Sequence, residues 1–235
     1  MYFSGIFTAL GFLLASFVIW RKAKDEAFEE EKVFDALILT VVCGLIGGRL
    51  EFALRHWSEF GFDLVKFLWL TRYAGLGFNT ALLAGSLGLW WLVKSGRIRP
   101  AGGAGQTSFW SVADLAVFGL VLGQAVAKTG AFIDSQNWLK LAEVIWLLLL
   151  LFSLKHWERR YRLFEWYRGK KKQAPPGFLF LAYLFFYFLG QLLLAIFQRD
   201  SLYLDILMIL ASLTVLYLCS GREWRQDLAQ IRFKK

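Results

Sequence analysis

Long apolar runs separated by short charged blocks set the pattern of this chain. Seven stretches approach the roughly 20 mostly apolar residues that a helix needs to cross a bilayer core: residues 3–20, 34–54, 78–94, 109–133, 139–154, 177–197 and 201–218. Polar interruptions in the fourth and fifth leave room for a break or a tilt. Runs such as Val144 to Phe152 (VIWLLLLLF) lack the alternation over about ten residues that barrel strands show. The pattern therefore predicts an all-α polytopic membrane protein of about seven transmembrane helices, forming a single transmembrane domain over residues 1–235. No Lys or Arg precedes the first run, which lacks the charged start of a secretory signal peptide and is expected to be a retained helix. No internal repeat is visible, which weighs against a transporter built from duplicated halves.

The cations orient the bundle. Loops 21–33, 94–107 and 155–176, with the tail after 218, hold twenty Lys and Arg, while the alternate loops hold five. Basic loops stay in the cytoplasm, so the amino terminus is expected outside and the carboxy terminus inside. The loop at 55–77 carries Trp57, Phe60, Phe62, Phe67, Trp69 and Leu70, too aromatic for a free linker. It is expected to be an arm lying along the outer interface, where aromatic rings prefer to sit. The block 155–172 mixes Trp157, Tyr161, Phe164, Trp166 and Tyr167 with eight cations and reads as a cytoplasmic interfacial helix held by anionic head groups.

Composition agrees with this class. Only 19% of residues are charged and 57% are hydrophobic, against about 25% and 45–50% in soluble domains; mean hydropathy is +0.48. The formal net charge of +9 is accounted for by orientation, and no nucleic-acid partner is expected. Cys43 and Cys219 both fall in apolar runs, with no pairing framework or metal motif, and read as small buried side chains.

Ionisable groups inside a membrane segment are costly unless paired or hydrated, so they are functional hypotheses by default. Here they are Asp35, Arg49, Glu51, Asp114, Lys128, Asp134, Glu143 and Asp205. Asp35, Asp134 and Asp205 lie near expected helix ends and suit capping or interfacial roles; Glu143, one turn into its helix, is compatible with solvation. Arg49 closes the run Gly44-Leu45-Ile46-Gly47-Gly48-Arg49, whose glycine spacing admits a close neighbouring helix. Its guanidinium suits backbone carbonyls, a phosphate held at two points, or an ion pair with Glu51 or Asp114. Asp114 suits a helix-start or structural partner role. Lys128, about 21 Å further along the same helix, lies toward the outer half of the bilayer, where it can meet a lipid phosphate or snorkel to the head groups.

These residues, in this order, resemble the prolipoprotein diacylglyceryl transferase family, seven-helix inner-membrane enzymes that move a diacylglyceryl group from phosphatidylglycerol to the cysteine thiol of a lipoprotein precursor. The resemblance covers most of the chain. It rests on Gly5-Ile6-Phe7-Thr8-Ala9-Leu10-Gly11-Phe12, Gly44-Leu45-Ile46-Gly47-Gly48-Arg49-Leu50, Gly75-Leu76-Gly77-Phe78, Asp114, Gly130 with Phe132, and Gly177-Phe178-Leu179-Phe180. Several positions depart from the family. Its histidine is Asn79, its phospholipid-binding arginine is Lys128, the asparagine three residues later is Ala131, and further signature positions are Asp134 and Gln136. Its sixth-helix arginine and glutamate are Gln191 and Ala195, and a first-helix tyrosine is Ser4.

The resemblance implies a lipid-binding set of Arg49, Gly48, Lys128 and Asp114 and a catalytic set of Lys128, Asn79 and Gln191, with no metal or soluble cofactor. Its partners are phosphatidylglycerol or another anionic phospholipid, a lipoprotein precursor and the bacterial inner membrane. Lys128 keeps a charge for a phosphate but loses the planar fork of arginine. Gln191 can donate a hydrogen bond but not neutralise a leaving group, and Asn79 cannot act as a base; His56 and His156 are poorly placed to replace it. Two functions follow: a diacylglyceryl transferase, or a catalytically inactive relative that binds phospholipid or a membrane partner. A small transporter is a distant third.

Overall fold

The computed structural model describes residues 2–26, 28–61, 66–67, 77–97, 108–161, 176–198 and 203–219. Seven long helices run through them: α1 Tyr2–Asp25, α2 Glu30–Arg55, α3 Phe78–Lys94, α4 Phe109–Ser135, α5 Trp138–Tyr161, α6 Phe178–Gln198 and α7 Tyr203–Cys219. A single helical turn, Trp57–Phe60, follows α2. Four of these helices are long and apolar enough to cross a membrane, over Phe3–Asp25, Glu30–Arg55, Phe109–Ser135 and Phe178–Ile196. The apolar stretches Thr80–Lys94 and Ile206–Val215 are shorter. The chain is an all-α polytopic membrane protein.

The helices outrun the apolar segments wherever charge suits the helix dipole. Lys22 and Lys24 extend α1 to Asp25, past the expected end at residue 20, and Glu30 and Glu31 open α2 before residue 34. Cations at a carboxy-terminal end and acids at an amino-terminal end are both favourable. Lys24 also pairs with Glu30 at 2.7 Å, and Lys32 with Glu29 at 2.5 Å. Residues 155–161, expected to begin a separate interfacial helix, instead continue α5; the rest of that block lies outside the described residues. So does most of the 55–77 arm.

The chain clusters into two compact units, one of Met1–Ile19 with Trp110–Lys235, the other of Trp20–Phe109. In the first, α1 crosses α4 on small residues. A Cβ on Gly123 would lie 2.7 Å from the Gly11 carbonyl, and one on Gly130 would strike Phe7. No side chain larger than hydrogen lets the two backbones approach this closely, which is how helices associate where lipid removes the hydrophobic drive. α6 packs against α5 and α7, and the core closes on Val117, Val121, Leu154, Tyr183 and Phe188, all fully buried. Between α5 and α6, the indole Nε1–H of Trp146 donates to the Phe186 carbonyl at 3.0 Å. In the second unit α2 pairs with α3. The glycine run of α2 makes this contact, for a Cβ on Gly48 would sit 2.8 Å from the Gly77 carbonyl and 3.1 Å from Ala81 Cβ. Large apolar side chains such as Leu13, Leu87, Phe152 and Leu207 face outward, as a lipid solvent requires.

Candidate functional site

In the first unit, Lys128 of α4 and Lys140 of α5 close on one carboxylate. Lys128 Nζ pairs with Glu143 Oε2, and Lys140 Nζ with Glu143 Oε1 at 3.2 Å. The Glu143 side chain is 3% exposed, whereas those of Lys128 and Lys140 keep 31% and 34%. A buried carboxylate persists only when compensated, and two ammonium groups compensate this one with a unit of positive charge left over. Glu143, whose place one turn into α5 is also compatible with solvation, is therefore a buried and paired residue. Its sequence signal was the acid three residues after Lys140 in an otherwise apolar run; its partner on α4 is a tertiary contact that spacing cannot show.

Asp114 builds a different structure. Its Oδ2 accepts the Gly177 N–H at 2.7 Å and its Oδ1 the Phe180 N–H at 2.8 Å. Phe180 is the third residue of α6, so a side chain of α4 caps α6. Gly177 adopts φ +94° to make this start and lies against Trp110, a conformation that L side chains rarely accept. Gln191 lies half-buried on α6, four residues before the buried Ala195. Ser4 donates its N–H to Asp134 Oδ2 at 2.9 Å, so Asp134 caps the first turn of α1, the capping role its position suggested. Gln124 on α4 and Tyr183 on α6 place a buried amide and hydroxyl opposite one another without closing a hydrogen bond. Sequence reading passed over both, since a lone Gln or Tyr in an apolar run carries no pattern.

In the second unit Arg49 is 3% exposed. Its Nε donates to the Phe67 carbonyl at 2.7 Å and an Nη to the Lys66 carbonyl at 3.1 Å, with the Phe52 ring 5.5 Å from the guanidinium. Of the readings open to Arg49, backbone carbonyls are realised, while the ion pair with Glu51 is not. Glu51 instead accepts the Thr80 N–H at 3.2 Å and its hydroxyl at 2.7 Å, and pairs with Arg55 at 2.5 Å. Two residues apart on a helix, Arg49 and Glu51 point to different faces. Gly48 holds the α3 start through its carbonyl, which accepts the Gly77 N–H at 2.8 Å. Asn79 is the second residue of α3; its side chain lies outside the described residues. His56 stacks on Phe52 with ring centroids 4.3 Å apart.

The class defined by this fold and its charges is a polytopic helical membrane protein with a cation pair resting on a buried acid. The chain belongs to the prolipoprotein diacylglyceryl transferase family, whose sequence model matches residues 1–221. Among its relatives is the phosphatidylglycerol–prolipoprotein diacylglyceryl transferase of Caldanaerobacter subterraneus subsp. tengcongensis, 27% identical over 206 residues, 83% of this chain and 71% of that protein. The protein of that name from Thermoanaerobacter pseudethanolicus is 26% identical over 208 residues, 84% and 73% of the two chains. The one from Thermosynechococcus vestitus is 23% identical over 237 residues, 92% and 84%.

Proposed function

We propose that this protein is a phosphatidylglycerol–prolipoprotein diacylglyceryl transferase-like protein of the bacterial inner membrane, with its amino terminus outside and its carboxy terminus in the cytoplasm. The observation that carries the reading is Lys128: a cation in the membrane-spanning α4, one-third exposed and held by a buried acid. Such a group suits the phosphate of an anionic phospholipid such as phosphatidylglycerol. In this reading the thiolate of a lipoprotein-precursor cysteine, its proton already lost to water, attacks a glycerol carbon of the lipid. A carbon–sulfur bond forms as the carbon–oxygen bond to phosphate breaks, and glycerol phosphate leaves with the electron pair. Lys128 would stabilise that leaving charge, with a hydrogen bond from Gln191, and the resemblance assigns Asn79 to the same step. Asp114, Arg49 and Gly48, assigned to lipid binding by resemblance, would serve it by holding the helix starts and the 66–67 segment. No metal or soluble cofactor enters.

A second reading, a catalytically inactive relative that binds phospholipid or a membrane partner, is favoured by one specific observation. Glu143 cancels one of the two lysine charges beside it, so less positive charge is available to a leaving phosphate than an unpaired Lys128 would offer. The test is a transferase assay in membranes with labelled phosphatidylglycerol and a peptide carrying the lipoprotein cysteine. Transfer that is lost in Lys128→Ala establishes the enzyme. Co-purification of phosphatidylglycerol without any transfer establishes the binding protein, and absence of both refutes the proposal.

A further inference from the structure

The transferase reading uses one lysine, yet the structure holds two on the same acid. Lys128 and Lys140 approach separate oxygens of Glu143 from different helices. The acid is buried behind them, while both cation side chains stay about one-third open. An anion arriving from outside the bundle therefore meets two ammonium groups before it meets the carboxylate. A carboxylate with one cation on each oxygen spaces those cations as two oxygens of one phosphate would. A single lysine grips a phosphate as a point charge, whereas arginine offers a two-point fork; two lysines restore the second point.

We propose that Lys140 is a second phosphate contact of this site and that Glu143 is the resident counter-ion that spaces the two lysines and that the lipid phosphate must displace or share. The proposal rests on the reading of Lys128 as the phosphate contact. It adds Lys140 and Glu143 to the site, and a rule for its ligand: a headgroup bearing net negative charge is taken, and a zwitterionic one is not.

The full-length protein in nanodiscs, titrated with phosphatidylglycerol or phosphatidylcholine and read by native mass spectrometry, tests this. Lys140→Gln is expected to weaken phosphatidylglycerol binding about five-fold, the effect of one lysine at a lipid surface, and to leave phosphatidylcholine unchanged. Glu143→Gln is expected to strengthen phosphatidylglycerol binding by a similar factor, because the site's net charge rises by one. Inorganic phosphate, used as competitor, separates a lipid site from a general anion site: a lipid site keeps its phosphatidylglycerol in millimolar phosphate. Loss of binding with Lys128→Gln but none with Lys140→Gln overturns this inference and leaves the transferase reading intact. No loss with either variant overturns both. Thermal unfolding of each variant guards against a folding defect, and Lys140→Arg, which keeps the charge, is expected to restore binding to a folded protein.

Discussion

Removing the Asp114 carboxylate tests whether this residue is a structural cap or a lipid ligand. In Asp114→Ala the N–H groups of Gly177 and Phe180 lose their acceptors at 2.7 and 2.8 Å. Replacing an exposed cap by alanine costs about 1 kcal/mol, because water takes over the freed N–H groups. Asp114 is 7% exposed, so water has little access. Each hydrogen bond to a charged group is worth about 1.5–3 kcal/mol, which sets about 3–6 kcal/mol as the upper range for two. Polar groups in a membrane protein's unfolded state also find partners, and that pulls the expected loss to about 3 kcal/mol. Asp114→Asn keeps one carbonyl acceptor and turns an NH2 toward the other donor, so about half the loss is expected. The assay is denaturant unfolding in micelles, with phosphatidylglycerol binding measured on the folded fraction. A midpoint equal to wild type, or lost lipid binding at unchanged stability, refutes the capping account and returns Asp114 to the lipid site.

Further expectations follow from single contacts. Gly123→Ala should destabilise the protein by about 1–3 kcal/mol through overpacking against Gly11 and Ala15, whereas Gly5→Ala, which meets nothing within 4 Å, should stay within about 0.5 kcal/mol; thermal unfolding of both variants side by side decides it. Arg49→Lys loses the fork that spans the Lys66 and Phe67 carbonyls and should cost about 1–3 kcal/mol in the same measurement, an unchanged stability counting against the holding role. Tyr183→Phe deletes a buried hydroxyl that faces Gln124 but closes no hydrogen bond among the described residues, and should be neutral or stabilising. A clear loss there would mean that the hydroxyl is satisfied in the membrane. Each of these readouts is independent of transferase activity.

The helices were legible because lipid leaves the backbone few ways to satisfy itself, so a long apolar run in this chain is a helix. Their ends were less so. Lys22, Lys24, Glu30 and Glu31 carry α1 and α2 into charged sequence by complementing the dipole, an energy that hydropathy does not count. The glycine run before Arg49 announced a close neighbour but not which one, because α3 is thirty residues away along the chain. Lys128 stood out as a charge in an apolar segment. Glu143 belonged to the same set, but one turn into a helix an acid has two fates, water or a buried partner, and only the fold chooses.

The intramembrane acids show what that choice costs and where function is left over. Each helix begins with N–H groups that lack partners within the helix, and inside a bilayer these are expensive. Asp114 meets the third residue of α6, Glu51 the third residue of α3, and Asp134 the N–H of Ser4 in the first turn of α1. In all three cases a carboxylate from another helix supplies an acceptor and a negative charge at the positive end of the dipole. Three residues that a default reading assigns to chemistry are thereby explained by helix starts, whose location depends on how the chain folds back and not on local sequence. Glu143 departs from these three. Among the described residues it meets no helix start and instead pairs with Lys128 and Lys140, two cations where a purely structural ion pair would need one. That surplus is the physical reason to look for the anion of this protein there.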